Sequence, residues 1–187
     1  MSNITELSVQ KILKPKIEEV LPYYLYGEEL ESALKFIAYL RADKINPGWA
    51  NVHNAWKGSY KGKPVYYIRL GREWVRDTKN VKWVIIVYLN HIREYEEKIF
   101  EESWQNIIWD DLHHCRRCNN GCAPGVDRTI LGKEFTGLCN GIFYSGRFPV
   151  SFVNPVDTDI IIIKKMLELE KSFRAQSIPK SDKFNIY

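Results

Sequence analysis

All four cysteines of this 187-residue chain fall in one stretch, and their spacing has the clearest chemical meaning of any feature in the sequence. Cys115, Cys118 and Cys122 form a C-x2-C-x3-C pattern, and Cys139 follows after sixteen residues. Thiolates are strong, soft ligands for Zn²⁺, and four of them enclose and neutralise the ion. The sequence therefore predicts one zinc site made by these four side chains.

Two histidines directly precede the cluster. His113 or His114 could replace any one cysteine in a site of three thiolates and one imidazole. The Asn-Asn-Gly run at 119–121 supplies the backbone freedom that a tight metal-binding turn needs. A zinc ion closed in by four protein ligands has no open position for a substrate, so the predicted zinc is structural.

Redox chemistry is a different use of the same cysteines. Cys115 and Cys118 form a C-x-x-C dithiol, and the two arginines between them would favour the thiolate form. Cys115 would then act as a nucleophile and Cys118 would resolve the mixed disulfide. A thioredoxin-type site needs a βαβ context, whereas this dithiol follows a predicted helix. The cysteine pattern matches a ferredoxin iron–sulfur run poorly, because its second gap has three residues where ferredoxins have two. A further interpretation is that the four cysteines are free thiols that bind no metal.

Aromatic and basic residues interleave between residues 56 and 72, and they form the second candidate site. Trp56, Tyr67, Arg69 and Trp74 are predicted to lie along a groove against the sheet, where a small molecule or a protein would bind. The same segment could stack bases and pair with phosphates of a nucleic acid. A net charge of +4 with interspersed acidic residues does not favour nucleic acid. A hairpin with solvated lysines and buried tyrosines is the structural alternative.

A third group of polar residues lies where a predicted helix ends. Asp110, Asp111, His113 and His114 could bind a metal or transfer protons, although a solvated helix end explains them as well. The sequence contains no phosphate loop, no dinucleotide fingerprint, no nucleophile elbow and no H-E-x-x-H motif. Whether the chain is an enzyme is therefore left open by its motifs.

Hydrophobic periodicity predicts the elements that position these residues. Helices are predicted at 28–41, at 90–112 directly before the cysteines, and at 159–174. Strands are predicted at 65–70 and 81–89. The run at 84–87 is apolar on both faces, which is typical of a central strand.

The predicted fold class is α+β: a single domain whose mostly antiparallel sheet is packed by three or more helices, with a cysteine-rich loop insertion. Residues 1–22 form an N-terminal helical arm, residues 23–174 the domain with its cysteine-rich loop at 113–140, and residues 175–187 a loose C-terminal tail. The composition, 45% hydrophobic and 27% charged, excludes a disordered chain.

No secretory signal pattern opens the chain, and the longest apolar run, 84–89, is far shorter than the roughly 20 residues that span a bilayer. We therefore expect a cytoplasmic protein with no membrane partner. Its layout resembles that of small bacterial α+β proteins. The leading expectation is a non-catalytic module that binds a small molecule or a protein and carries a structural zinc. A thiol-dependent redox enzyme and a nucleic-acid-binding protein are the alternatives.

Overall fold

The computed structural model describes residues 3–71, 80–112, 125–139 and 148–176. Its strands are β1 Gly48–Trp49, β2 Ala55–Tyr60, β3 Lys63–Leu70, β4 Trp83–Tyr88, β5 Val126–Ile130, β6 Lys133–Leu138 and β7 Pro149–Val153. Its helices are α1 Leu7–Leu13, α2 Ile17–Val20, α3 Gly27–Ala42, α4 Glu96–Glu101, α5 Gln105–Asp110 and α6 Asp157–Gln176, with a 3₁₀ turn at Leu21–Tyr23. The predicted α+β class is confirmed.

A five-stranded sheet in the order β1-β2-β3-β4-β7 forms the centre, and each of its neighbouring pairs is antiparallel. Side chains alternate between its two faces because successive residues of a strand point in opposite directions. Along β4, Trp83, Ile85 and Val87 face the main hydrophobic core, whereas Val84 and Ile86 belong to a separate apolar cluster on the other side. β4 is thus buried on both faces, as its composition predicted.

We call these sides the core face and the pocket face. The main core gathers buried residues of α2, α3 and α6 against the core face, among them Ile17, Phe36 and Ile163, each fully buried. The pocket face carries Tyr67 and Arg69 of β3, Val84, Ile86 and Tyr88 of β4, and Val153 of β7. Lys57 of β2 lies opposite Tyr67 and therefore points to the same side.

The predicted single helix at 90–112 is wrong, because the structure divides it into α4 and α5. Ser103 adopts a φ of 57°, a left-handed conformation that a helix interior excludes. The Trp104 N–H donates to Ile99 O at 3.0 Å across this break. α5 is thereby a separate helix that ends just before the cysteine segment.

α1 and α2 are separated at Lys14-Pro15. Lys14 ends α1 with a φ of 46°, and its N–H donates to Gln10 O. Gln10 is fully buried, and its side-chain carbonyl accepts the Asn54 backbone N–H at 2.9 Å. The indole N–H of Trp56 donates to Pro15 O at 2.9 Å. These bonds fix the first helices against β2.

β5 and β6 form a two-stranded hairpin that contacts α5. The residues at its tip, Leu131 and Gly132, have φ values of 49° and 78°, as a tight two-residue hairpin turn requires. The Trp109 indole N–H donates to Ile130 O at 2.9 Å, and Ile130 and Leu138 are buried in the main core. The open end of the hairpin places Val126 opposite Leu138, directly before Cys139.

Candidate functional site

Most of the cysteine segment lies outside the described residues. This holds for Cys115, Cys118 and Cys122, and for His113 and His114. Cys139 is described, directly after β6, and its side chain is half-buried. The described residues contain no group of three or more His, Cys, Asp or Glu side chains that could hold a metal. The zinc site stays a prediction.

The four residues of the predicted groove do not form one surface. Trp56 is fully buried on the core face, opposite Ile68. Tyr67 and Arg69 lie together on the pocket face, where the Arg69 guanidinium is 5.6 Å from the centroid of the Tyr67 ring. Trp74 lies outside the described residues. Strand alternation thus separates Trp56 from Tyr67 by the thickness of the sheet.

The centre of the pocket face is covered, and only its margin is open. Val84 and Ile86 are each 1% exposed, whereas Tyr67 and Tyr88 are half-buried. The two tyrosine rings meet edge to face, with centroids 5.7 Å apart. This geometry is the favourable one for an aromatic pair. It makes a firm aromatic wall at the margin.

A small pocket of about 60 Å³ lies beside this wall. It is lined by Lys63, Pro64, Tyr67, Tyr88 and Asn90. Tyr67 was predicted as a groove residue, and Lys63 and Pro64 lie in the same 56–72 segment, whereas Tyr88 and Asn90 were not predicted. A local signal existed for Asn90, which is the first polar residue after the apolar strand β4 and lies two residues beyond its end.

A fully buried carboxylate lies behind the pocket. Glu170 of α6 has no exposed surface. It accepts five hydrogen bonds, from the Asn90 backbone N–H (3.1 Å), Asn90 Nδ2 (3.1 Å), His91 Nδ1 (3.2 Å), the Tyr95 hydroxyl (2.7 Å) and Arg174 Nε (2.7 Å). Burial, and then the Glu170 carboxylate, hold the pKa of Tyr95 well above its ordinary value, so its hydroxyl keeps the proton that it donates.

Arg174 connects this carboxylate to the opposite wall of the pocket. Its Nη1 donates to Tyr60 O at 3.1 Å and to Lys63 O at 3.2 Å, and its Nη2 lies 3.5 Å from Pro64 O. One ion pair on α6 therefore fixes both sides of the pocket: Glu170 holds Asn90, and Arg174 holds the turn that carries Lys63. Neither charge is left unpaired, as burial requires.

The acidic end of α5 is the third candidate. Burial, and then the carboxylates of Asp159 and Asp110, raise the pKa of Asp111 to about 6. The backbone carbonyl of Asp111 accepts the Ser151 N–H at 2.7 Å, which joins α5 to β7. Among the described residues, Asp111 belongs to no group of three or more His, Cys, Asp or Glu side chains that could hold a metal.

Comparison with known proteins assigns no family to the chain: no family model, no curated protein and no solved structure matches it. Among the described residues, no helix combines the length and the apolar character that crossing a membrane demands.

Proposed function

We propose that this protein is a binding module that holds a small anionic group of its ligand in the pocket between Lys63 and Asn90. The observation that carries the proposal is the chemistry of the lining: one ammonium group, two tyrosine rings, one amide, and no carboxylate. An aromatic wall with a few polar groups is the usual composition of a ligand site.

The charges around the pocket favour an anion. Within the described residues, no carboxylate pairs with Lys63, so its ammonium is open to a ligand. Lys57 and Arg69 add positive charge on the same face. Burial lowers the pKa of Arg69, but a guanidinium starts so high that it stays cationic. Partly desolvated cations attract an anion more strongly than fully hydrated ones.

The size of the pocket limits what enters it. Its volume of about 60 Å³ is well below the roughly 150 Å³ of a cavity that encloses benzene. A carboxylate-sized group therefore enters, and the rest of the ligand lies outside against Tyr67 and Tyr88. A nucleic-acid strand would need several open aromatic faces, and the covered centre, at Val84 and Ile86, does not favour that function.

We further propose that zinc fixes the cysteine segment through Cys115, Cys118, Cys122 and Cys139. The β5–β6 hairpin supports this proposal, because Leu138, next to Cys139, pairs with Val126. Three peptide units separate Cys122 from Gly125, a span of at most about 11 Å. Because the hairpin pairs Leu138 with Val126, the sixteen residues between Cys122 and Cys139 do not prevent these two cysteines from binding the same ion.

The anion pocket is tested by titrating ¹⁵N-labelled protein, at constant ionic strength, with propionate and with ethylammonium. Propionate should shift the amide signals of Lys63, Tyr67, Tyr88 and Asn90 saturably, and ethylammonium should not. Lys63→Gln should weaken propionate binding about two- to fivefold, as expected for loss of a solvent-accessible ion pair. Lys35→Gln, at an exposed position on α3, is the matched control. Shifts of equal size with both probes would overturn the proposal.

The zinc site is tested by the metal content of protein purified without chelator and by a count of reactive thiols. We expect about one zinc per chain and thiols that react only after chelation, because the metal must be bound by thiolates. A metal-free chain with one selectively alkylated cysteine would contradict the zinc site and favour the redox alternative at Cys115 and Cys118.

A further inference from the structure

We infer that Asn90 determines the specificity of the pocket, and that the preferred ligands are small carboxylates with a hydroxyl or amine donor beside the anionic group, free or at the end of a larger molecule. The inference rests on the proposed anion pocket and adds to it the kind of ligand. It depends on how the protein fixes the orientation of one side-chain amide.

Both amide protons of Asn90 are already engaged. Asn90 Nδ2 donates to Glu170 Oε1 at 3.1 Å and to Tyr88 O at 3.3 Å. A side-chain amide has two N–H donors and one carbonyl acceptor, so its donors are used up by these two oxygens. The Asn90 side chain therefore has one hydrogen-bonding atom left for the pocket, the acceptor Oδ1.

The opposite orientation of the amide is excluded by the surroundings. A rotation of 180° about the last side-chain bond would bring Oδ1 against two acceptors, the Glu170 carboxylate and Tyr88 O. Glu170 cannot turn away, because it is fully buried and also bonded to Tyr95 and Arg174. An ionised carboxylate accepts and never donates, so it specifies which end of the neighbouring amide it faces.

The backbone of Asn90 is fixed by the same group. Its N–H donates to Glu170 Oε2 at 3.1 Å, so Glu170 holds the main chain and the side chain of one residue. The acceptor Oδ1 is therefore placed before a ligand arrives, and a donor on the ligand gains its bond without a loss of side-chain freedom. Lys63 on the opposite wall would take the carboxylate of the same ligand.

A matched pair of probes separates the acceptor from the charge. Glycolate and propionate have the same charge and nearly the same shape, and differ by a hydroxyl in place of a methyl group. Wild-type protein should bind glycolate about three- to tenfold more tightly, as one added hydrogen bond implies. Asn90→Leu removes the acceptor but leaves the backbone N–H that donates to Glu170, and the ratio of the glycolate and propionate affinities of this variant should fall to one or below.

The outcomes separate the two proposals. If neither probe binds, the anion pocket itself fails. If both bind wild-type protein equally, or if Asn90→Leu keeps the preference for glycolate, the pocket stands and the role of Asn90 is overturned. Should Asn90→Leu not fold, the Asn90 side-chain protons of the wild type give the answer. They should exchange slowly and stay equally protected when glycolate binds, because Nδ2 keeps its bonds to Glu170 Oε1 and Tyr88 O. Faster exchange in the glycolate complex would mean that these bonds break, and would overturn the role of Asn90.

Discussion

The core face and the pocket face of the sheet share the same strands but use their aromatic residues differently. On the core face, Trp56 and Tyr66 are fully buried, and each donates to a backbone carbonyl, of Pro15 at 2.9 Å and of Ile45 at 2.6 Å. On the pocket face, Tyr67 and Tyr88 keep part of their rings accessible. Tyr66 and Tyr67, one position apart on β3, therefore differ in accessibility: the Tyr66 ring is sealed in the core, and the Tyr67 ring is partly exposed beside the pocket.

Truncation on the core face should have the largest effect on stability. Trp56→Ala removes a fully buried indole and leaves Pro15 O without its donor, and we expect a loss of about 3–5 kcal/mol in the free energy of unfolding. Urea unfolding followed by circular dichroism measures it. Propionate binding should persist wherever the variant is folded. A loss below about 1 kcal/mol would contradict the assignment of Trp56 to the core.

The residues behind the pocket should stabilise the protein through the Glu170–Arg174 ion pair rather than through buried apolar surface. Glu170→Leu leaves the Arg174 guanidinium buried without its carboxylate, which should cost about 3–5 kcal/mol in unfolding free energy. Combining Glu170→Leu with Arg174→Met removes both charges and should recover part of this loss. Thermal unfolding of the double variant and of both single variants, Glu170→Leu and Arg174→Met, measures the difference. If the double variant is less stable than the single one by the full cost of Arg174→Met, the two residues act independently.

Substitution on the pocket face should lower ligand affinity strongly and the free energy of unfolding only slightly. Tyr67→Leu removes the edge contact with Tyr88 and should lower the unfolding free energy by only about 1 kcal/mol. Propionate binding, followed by the same amide shifts, should weaken several-fold. Tyr23→Leu, at an exposed ring outside the pocket, is the control. Unchanged propionate binding in Tyr67→Leu would show that the Tyr67 ring does not contact the ligand.

The smallest effect is expected at Asp111, away from both faces. Because its pKa is raised to about 6 in the folded protein, the folded state binds the proton more tightly than the unfolded state does. The contribution of Asp111 to the free energy of unfolding is therefore fully present at low pH and is lost as the pH rises through 6. Asp111→Asn should raise the unfolding free energy by about 1 kcal/mol at pH 8, after allowance for its partial exposure, and change little at pH 4. Equal effects at both pH values would exclude titration as the cause.

Local patterns in the sequence were enough to predict much of the fold. α3, α6 and β4 follow from the periodicity of their apolar residues, and the end of α1 follows from Lys14-Pro15. The break at Ser103 did not follow, because apolar spacing continues through it. A single left-handed residue redirects the chain without changing the hydrophobic pattern.

The pocket was harder to predict, since its lining and support come from three separate parts of the chain. One signal was present in α6. Glu170 and Arg174 continue the buried stripe of Ile160, Ile163 and Leu167 at spacings of three and four residues. Read as neighbours on a helix surface, they resemble an ordinary exposed ion pair. Their place on the apolar stripe is what indicates a buried pair that orients other groups.

A crystal structure of the protein with glycolate would test the central claim most directly. We expect one glycolate at the margin of the pocket face, with its carboxylate at Lys63 Nζ and its hydroxyl donating to Asn90 Oδ1. The Tyr67 and Tyr88 rings should lie beside it, and the Glu170 contacts should be unchanged. A glycolate bound elsewhere, with the space between Lys63 and Asn90 closed by the protein's own side chains, would contradict it.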